Sequence, residues 1–110
     1  MIEEKVKPKI ELSKLEEFVV NTKTVNELNN LIKIYELANF EWRTGLSPIK
    51  DGLIDEIWAI NEEGTCICVT NGKISYGNTD NYREISSFQQ FCEMNNLTSE
   101  KLNEINNYFN

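Results

Sequence analysis

Phe40-Glu41-Trp42-Arg43-Thr44-Gly45-Leu46-Ser47-Pro48 is the stretch on which the reading of this chain turns. Alternation puts Phe40 and Trp42 on one side of an extended segment, and Glu41 and Arg43 on the other. Thr44-Gly45 ends it, with Gly45 in a conformation closed to most other residues. Residues 46–52 are loop, with Pro48 and Asp51-Gly52 as turn signals. The segment reads as a short strand returning alongside the first strand of the chain.

Upstream, Asn39 stands where a helix that has just ended takes up the left-handed conformation, which asparagine tolerates. The helix itself is predicted over residues 25–38. Thr24-Val25-Asn26-Glu27 has the S/T-x-x-E form of a capping box. Leu28, Leu31, Ile32, Tyr35 and Ala38 then share one face at a period of 3.6, and Ile34 and Leu37 widen it. Before the helix, Phe18-Val19-Val20 marks a strand over residues 17–22. Ser13-Lys14-Leu15-Glu16 also has capping-box form, but strand-preferring residues follow it. Residues 1–14 are mixed in charge, and Pro8 opposes a helix there. Ile10-Glu11-Leu12 suits a short edge strand, or the segment is a flexible arm.

Downstream lies the most acidic part of the chain. Residues 51–63 hold Asp51, Asp55, Glu56, Glu62 and Glu63 and no Lys or Arg. Within it Ile57-Trp58-Ala59-Ile60 reads as a strand, and Asn61-Glu62-Glu63-Gly64 as a turn. Asn71-Gly72 is the strongest hairpin signal present, a two-residue type I′ turn. It pairs Thr70 with Lys73, Val69 with Ile74, Cys68 with Ser75 and Ile67 with Tyr76. Ile67, Val69, Ile74 and Tyr76 then form a core face, and Cys66, Cys68 and Ser75 the other. After a polar loop, Ser86-Ser87-Phe88-Gln89 opens a short helix that groups Phe88, Phe91 and Cys92, and Asn95-Asn96 ends it. Thr98 or Ser99 caps a last helix with the stripe Leu102, Ile105, Tyr108 and Phe109.

These elements predict an α+β fold: a single antiparallel sheet of four to five short strands, one long helix on a face, and two short C-terminal helices at an end or edge. The 110 residues make one domain, with 1–14 as an arm and 97–110 as a C-terminal helical extension. An apolar fraction of 40% is enough for one modest core.

Composition narrows the chemistry. The absence of histidine removes Ser-His-Asp and Cys-His catalysis and imidazole zinc sites. Three cysteines (Cys66, Cys68 and Cys92) form no disulfide framework. Cys66-x-Cys68 with Cys92 could supply three thiolates to a metal, yet small buried residues explain them better. Neither metal nor cofactor is expected. The net charge of −7 repels phosphate backbones, so a direct nucleic-acid ligand is disfavoured. No apolar run spans a membrane and no signal peptide is read at the N-terminus, which points to the cytoplasm.

Two surfaces stand out. A tryptophan among acids suits a basic protein partner, so Asp51, Asp55, Glu56, Trp58, Glu62 and Glu63 are the expected contact residues. The neighbouring carboxylates, Asp55-Glu56 and Glu62-Glu63, alternate sides on a strand and do not converge for catalysis. Arg43 faces away from the side Trp42 occupies; it is expected to pair with Glu41, Glu56 or Glu84, or else to grip an anion. An alternative ligand site groups Arg43, Tyr76, Tyr82 and Arg83 around a nucleotide signal. The last helix either docks on its own sheet or joins two copies in a homodimer.

The order of elements carries a resemblance. The strand Phe18-Val19-Val20-Asn21-Thr22 is followed by an apolar helix and by the aromatic-x-Trp-x-Ser/Thr-Gly segment Phe40-Glu41-Trp42-Arg43-Thr44-Gly45. Then come Asn71-Gly72-Lys73-Ile74-Ser75-Tyr76-Gly77 and Glu84-Ile85-Ser86. Over residues 17–93 this resembles small proteins of tailed phages and prophages of low-GC Gram-positive bacteria. One departure is Asn39, where those proteins usually have Gly. The resemblance implies genomic context and no common activity. Small acidic phage proteins of this kind resemble host-takeover or counter-defence factors that act by binding, and anti-CRISPR proteins share that size and charge. A non-enzymatic inhibitor working by protein–protein interaction is therefore expected. A nucleotide-sequestering protein or a plain interaction domain are the alternatives.

Overall fold

Thr24 starts the long helix α1 (Val25–Leu37) as the sequence predicts: its side chain accepts from Glu27 N at 3.1 Å. The box closes one residue early, because Glu27 Oε1 accepts from Lys23 N at 2.8 Å rather than from Thr24. At the other end Asn39 takes φ 64°. Phe40 N donates to Tyr35 O, Asn39 N donates to Glu36 O, and the Phe40 ring stacks on Tyr35 at 5.5 Å. Those two bonds and that contact are the Schellman termination, and they set the direction in which the chain leaves the helix.

The computed structural model describes residues 6–13, 17–49 and 54–109. The elements are β1 (Phe18–Thr22), α1, β2 (Glu41–Trp42), α2 (Ile54–Asn61), a 3₁₀ turn (Glu62–Gly64), β3 (Thr65–Thr70), β4 (Lys73–Asn78), a second 3₁₀ turn (Thr79–Asn81), β5 (Ser86–Ser87), α3 (Phe88–Met94) and α4 (Ser99–Phe109). The class is α+β, with one five-stranded sheet in the order β2-β4-β3-β1-β5.

The sheet is mixed, which corrects the antiparallel expectation. β1–β3 and β3–β4 are antiparallel, while both edge pairs, β1–β5 and β2–β4, are parallel. β2 does not return beside β1. It lies on the far side of the hairpin, with Trp42 level with Ile74. The hairpin has the predicted register in full, because Asn71 and Gly72 take φ 54° and 74° and so make the primed turn whose twist matches the strands.

The second correction is α2. The run Ile57-Trp58-Ala59-Ile60 is helical rather than extended. Ile54, Ile57 and Trp58 at spacings of three and four pack on the core, and Asp55 and Glu56 lie in the first turn, where the helix dipole favours acids. Packing of that face outweighs the strand preference of the isoleucines. A smaller correction concerns α3. Ser87, not Ser86, is its N-cap, in a reciprocal box with Gln90, because Ser86 is held in β5 beside Val20. Residues 10–12 form no strand, but Ile10 is buried in the core. The Ser13-Lys14-Leu15-Glu16 pattern, the Asp51-Gly52 turn and residues 1–5 lie wholly or partly outside the described residues.

The core fills one face of the sheet. Phe18, Val20, Ile67, Val69 and Ile74 meet Leu28, Leu31, Ile32, Ile34, Tyr35 and Leu37 of α1. Each such side chain contributes roughly 1.5–3 kcal/mol of burial. Phe91 of α3 meets both Phe18 and Tyr35 edge to face, at 5.5 and 5.8 Å. α4 docks along α1 within the chain: Ile105 is buried, Leu102, Tyr108 and Phe109 pack against the core, and Lys33 Nζ donates to Asn106 Oδ1 at 3.0 Å. No described helix is long and apolar enough to cross a membrane.

Candidate functional site

Two surfaces gather the residues singled out above. The first is the knuckle formed by α2 and the 3₁₀ turn after it. Asp55, Glu56, Glu62 and Glu63 are all exposed on it. Among the described residues the ion pairs are Lys9–Glu11, Lys73–Glu41 and Lys101–Glu104, and none reaches this knuckle. Trp58 is half-buried and packs partly on the core. Ile60, which sequence reasoning did not single out, is 70% exposed. It stands one helical turn from Glu56, so an apolar side chain neighbours an acid on the helix surface. The signal for it was available: the Ile54–Ile57–Trp58 stripe defines the buried side of a helix and leaves Ile60 off it. Asp51 lies outside the described residues.

The knuckle is fixed from below. Asn21 on β1 is buried and donates through Nδ2 to Glu63 O and Thr65 O, both at 3.0 Å. Thr65 Oγ1 donates to Glu62 O at 2.7 Å. Glu62 itself takes φ 46°, a left-handed backbone unusual for a glutamate. The acidic turn is thus tied to the central strands rather than carried on a free loop.

The second surface is the sheet face turned away from α1. Register puts Val19, Asn21, Cys66, Cys68, Thr70, Lys73 and Ser75 on it. Tyr82 lies down on this face over Gly77: a β-carbon there would come within 3.0 Å of the tyrosine oxygen and 3.2 Å of Cε2. Burial pushes the Tyr82 phenol up, the neighbouring Cys68 and Cys66 add to that, and a hydrogen bond with Ser75 works against it. Between Tyr82 and β2 a groove of about 590 Å³ is lined by Arg43, Cys68, Thr70, Asn71, Lys73, Ser75 and Tyr82.

The alternative ligand set is therefore only partly assembled. Arg43 and Tyr82 share this groove. Arg83 lines a second hollow, of about 800 Å³, beside Glu17 and Glu84, and Tyr82 borders that hollow as well. Tyr76 points to the opposite sheet face, edge-on to Trp42 at 6.4 Å and 44% exposed, although it was expected in the core. β2 stops level with Ile74, so no strand flanks Tyr76 on the outer side of β4. Arg43 has no ion-pair partner among the described residues; Glu41, the nearest in sequence of its expected partners, is held by Lys73.

The three thiols do not converge. Cys66 and Cys68 are on the outer face, whereas Cys92 belongs to the core on α3. The sheet lies between them, and no described group of three His, Cys, Asp or Glu is placed to hold a metal ion. All three cysteines are buried and unbridged. Burial pushes the Cys66 thiol up, opposed by a hydrogen bond with Asn21. It pushes Cys92 up to about 11, with Glu27 and Glu93 adding to the effect. Cys66 and Cys92, so held, stay protonated near neutral pH and are poor nucleophiles.

No family model matches the chain, and neither a curated protein nor a solved structure matches it.

Proposed function

We propose that this chain is a non-catalytic binding protein that docks the α2 knuckle on a basic surface of another protein. One observation carries the reading: Asp55, Glu56, Glu62 and Glu63 are exposed together, unpaired among the described residues, around an exposed Ile60 and a half-buried Trp58. Acids of one sign steer a basic partner and set its orientation, while a tryptophan and an isoleucine supply apolar contact once water is expelled. Asn21 holds the turn in place, so little ordering is needed on binding. The net charge of −7 favours the same kind of partner. The resemblance to phage proteins supports a host or defence protein as the target, and a host-takeover or counter-defence role exerted by occlusion rather than by chemistry in the host cytoplasm.

The test is capture from a lysate of a low-GC Gram-positive bacterium, with the wild type and a Glu56→Lys, Glu62→Lys, Glu63→Lys variant run in parallel. A specific partner should be held by the wild type in low salt and lost from the variant. It should also be lost at about 1 M salt, where the Debye length is about 3 Å. A partner retained equally by the variant and in high salt would refute the knuckle as the contact surface.

A further inference from the structure

The sheet face turned away from α1 carries two cations, Arg43 and Lys73. Arg43 N donates to Ile74 O at 3.0 Å, so the β2–β4 pairing runs one residue past the strand and brings Arg43 alongside Ser75. Lys73 is level with Thr70 across the hairpin. Two cations, Arg43 and Lys73, thus line one groove, and Lys73 also engages Glu41. The guanidinium of Arg43 is exposed and has no carboxylate partner among the described residues. The hydroxyls of Thr70 and Ser75 and the amide of Asn71 line the same groove, and the ring of Tyr82 forms its far wall.

We infer that this groove binds a small phosphorylated molecule bearing a planar ring, of the nucleoside monophosphate class. A guanidinium fork matches two phosphate oxygens, and short hydroxyls beside it complete the set of donors. The Tyr82 ring, which comes close to the strand because residue 77 is glycine, offers a surface for the base. A volume of about 590 Å³ accommodates a mononucleotide. A polynucleotide is disfavoured by the same chemistry, because its further phosphates would meet the −7 field of the chain, whereas a single phosphate needs only the Arg43 guanidinium and the groove's own donors. The groove contains none of the knuckle's acids, although Arg43 and Ser75 at its rim also line the smaller hollow that Ile57 of α2 borders.

Nitrogen–proton NMR of the full chain, titrated separately with adenosine 5′-monophosphate, adenosine and inorganic phosphate, tests this. Adenosine monophosphate should move the Arg43 side-chain signal and the amides of Thr70, Asn71, Lys73 and Ser75. Adenosine and inorganic phosphate should each bind at least about tenfold more weakly. Arg43→Gln should weaken the nucleotide at least about tenfold, with an otherwise unchanged spectrum. Arg43→Lys should recover only part of that loss, because it keeps the charge without the fork. Inorganic phosphate binding as tightly as the nucleotide would overturn the assigned ligand class. No shift at about 10 mM of the nucleotide, or shifts indifferent to Arg43→Gln, would overturn the site.

Discussion

Replacing Tyr35 by phenylalanine should make this protein more stable. Tyr35 is fully buried on α1, and its hydroxyl is a buried polar atom with no hydrogen-bond partner among the described residues. Burial pushes its phenol well above the usual tyrosine range, with Cys68 and Cys92 contributing less. A hydroxyl removed from water without a partner costs about 1–3 kcal/mol. Deleting it forfeits only the few dispersion contacts of one oxygen, a few tenths of a kcal/mol. The ring stays stacked on Phe40 and edge-on to Phe91. The net expectation is a gain of about 1 kcal/mol. For a chain of 110 residues the unfolding entropy is about 0.23 kcal/mol/K, so Tm should rise by about 4 °C. Urea unfolding followed by fluorescence of buried Trp42 and half-buried Trp58 gives the free energy, and far-UV dichroism gives Tm. A Tyr35→Phe variant less stable than the wild type by 1 kcal/mol or more would refute the reasoning, for it would mean that the hydroxyl has a partner in solution.

Thr24→Ala removes the N-cap of α1 and should cost about 1 kcal/mol in the same urea assay; a neutral result would mean that Glu27 alone holds the helix start. Glu62→Gly relieves a left-handed glutamate and should gain up to about 1 kcal/mol, while slowing association with a basic partner. Loss of stability there would show that the turn is not strained. Cys92 has its folded pKa raised from 9.0 to about 11, so its contribution is fully present below pH 9 and is lost as pH rises from 9 to 11. Tyr35 and Cys66 act in the same direction. The stability gap between wild type and Cys92→Ala should therefore narrow across that window, and parallel curves would contradict the assignment. Gly77→Ala should lift Tyr82 from the sheet, with a change in tyrosine fluorescence and little loss of helix signal; an unchanged Tyr82 environment would speak against the close approach.

Where local chemistry decides, the chain was readable. Thr24, the seven apolar positions of α1, Asn39 and Asn71-Gly72 set a helix, its termination and a hairpin register that the structure reproduces. Each rests on interactions within about five residues. The misread parts depend on distant ones. Ile57-Trp58-Ala59-Ile60 has strand preference but becomes helical because Ile54, Ile57 and Trp58 find the core together. Alternation marked β2 as a strand, but nothing local says that it pairs with β4 rather than β1, and β5, at two residues, leaves no periodicity to detect. The groove was legible by half. The hairpin register already placed Thr70, Lys73 and Ser75, but Arg43 joins them only because β2 pairs with β4, and Tyr82 only because its loop folds back over Gly77.

The two brief edge strands have a further consequence. The central strand β3, Thr65-Cys66-Ile67-Cys68-Val69-Thr70, is uncharged and strand-prone, the composition that templates fibrils when its backbone is open. Here β1 and β4 occupy both its sides, and β5 and β2 pair in turn with part of each of those strands. At one margin Trp42 N is already spent on Leu46 O at 2.9 Å. A second chain therefore finds no free ladder on β3 itself, so the most aggregation-prone segment is out of reach while the fold holds.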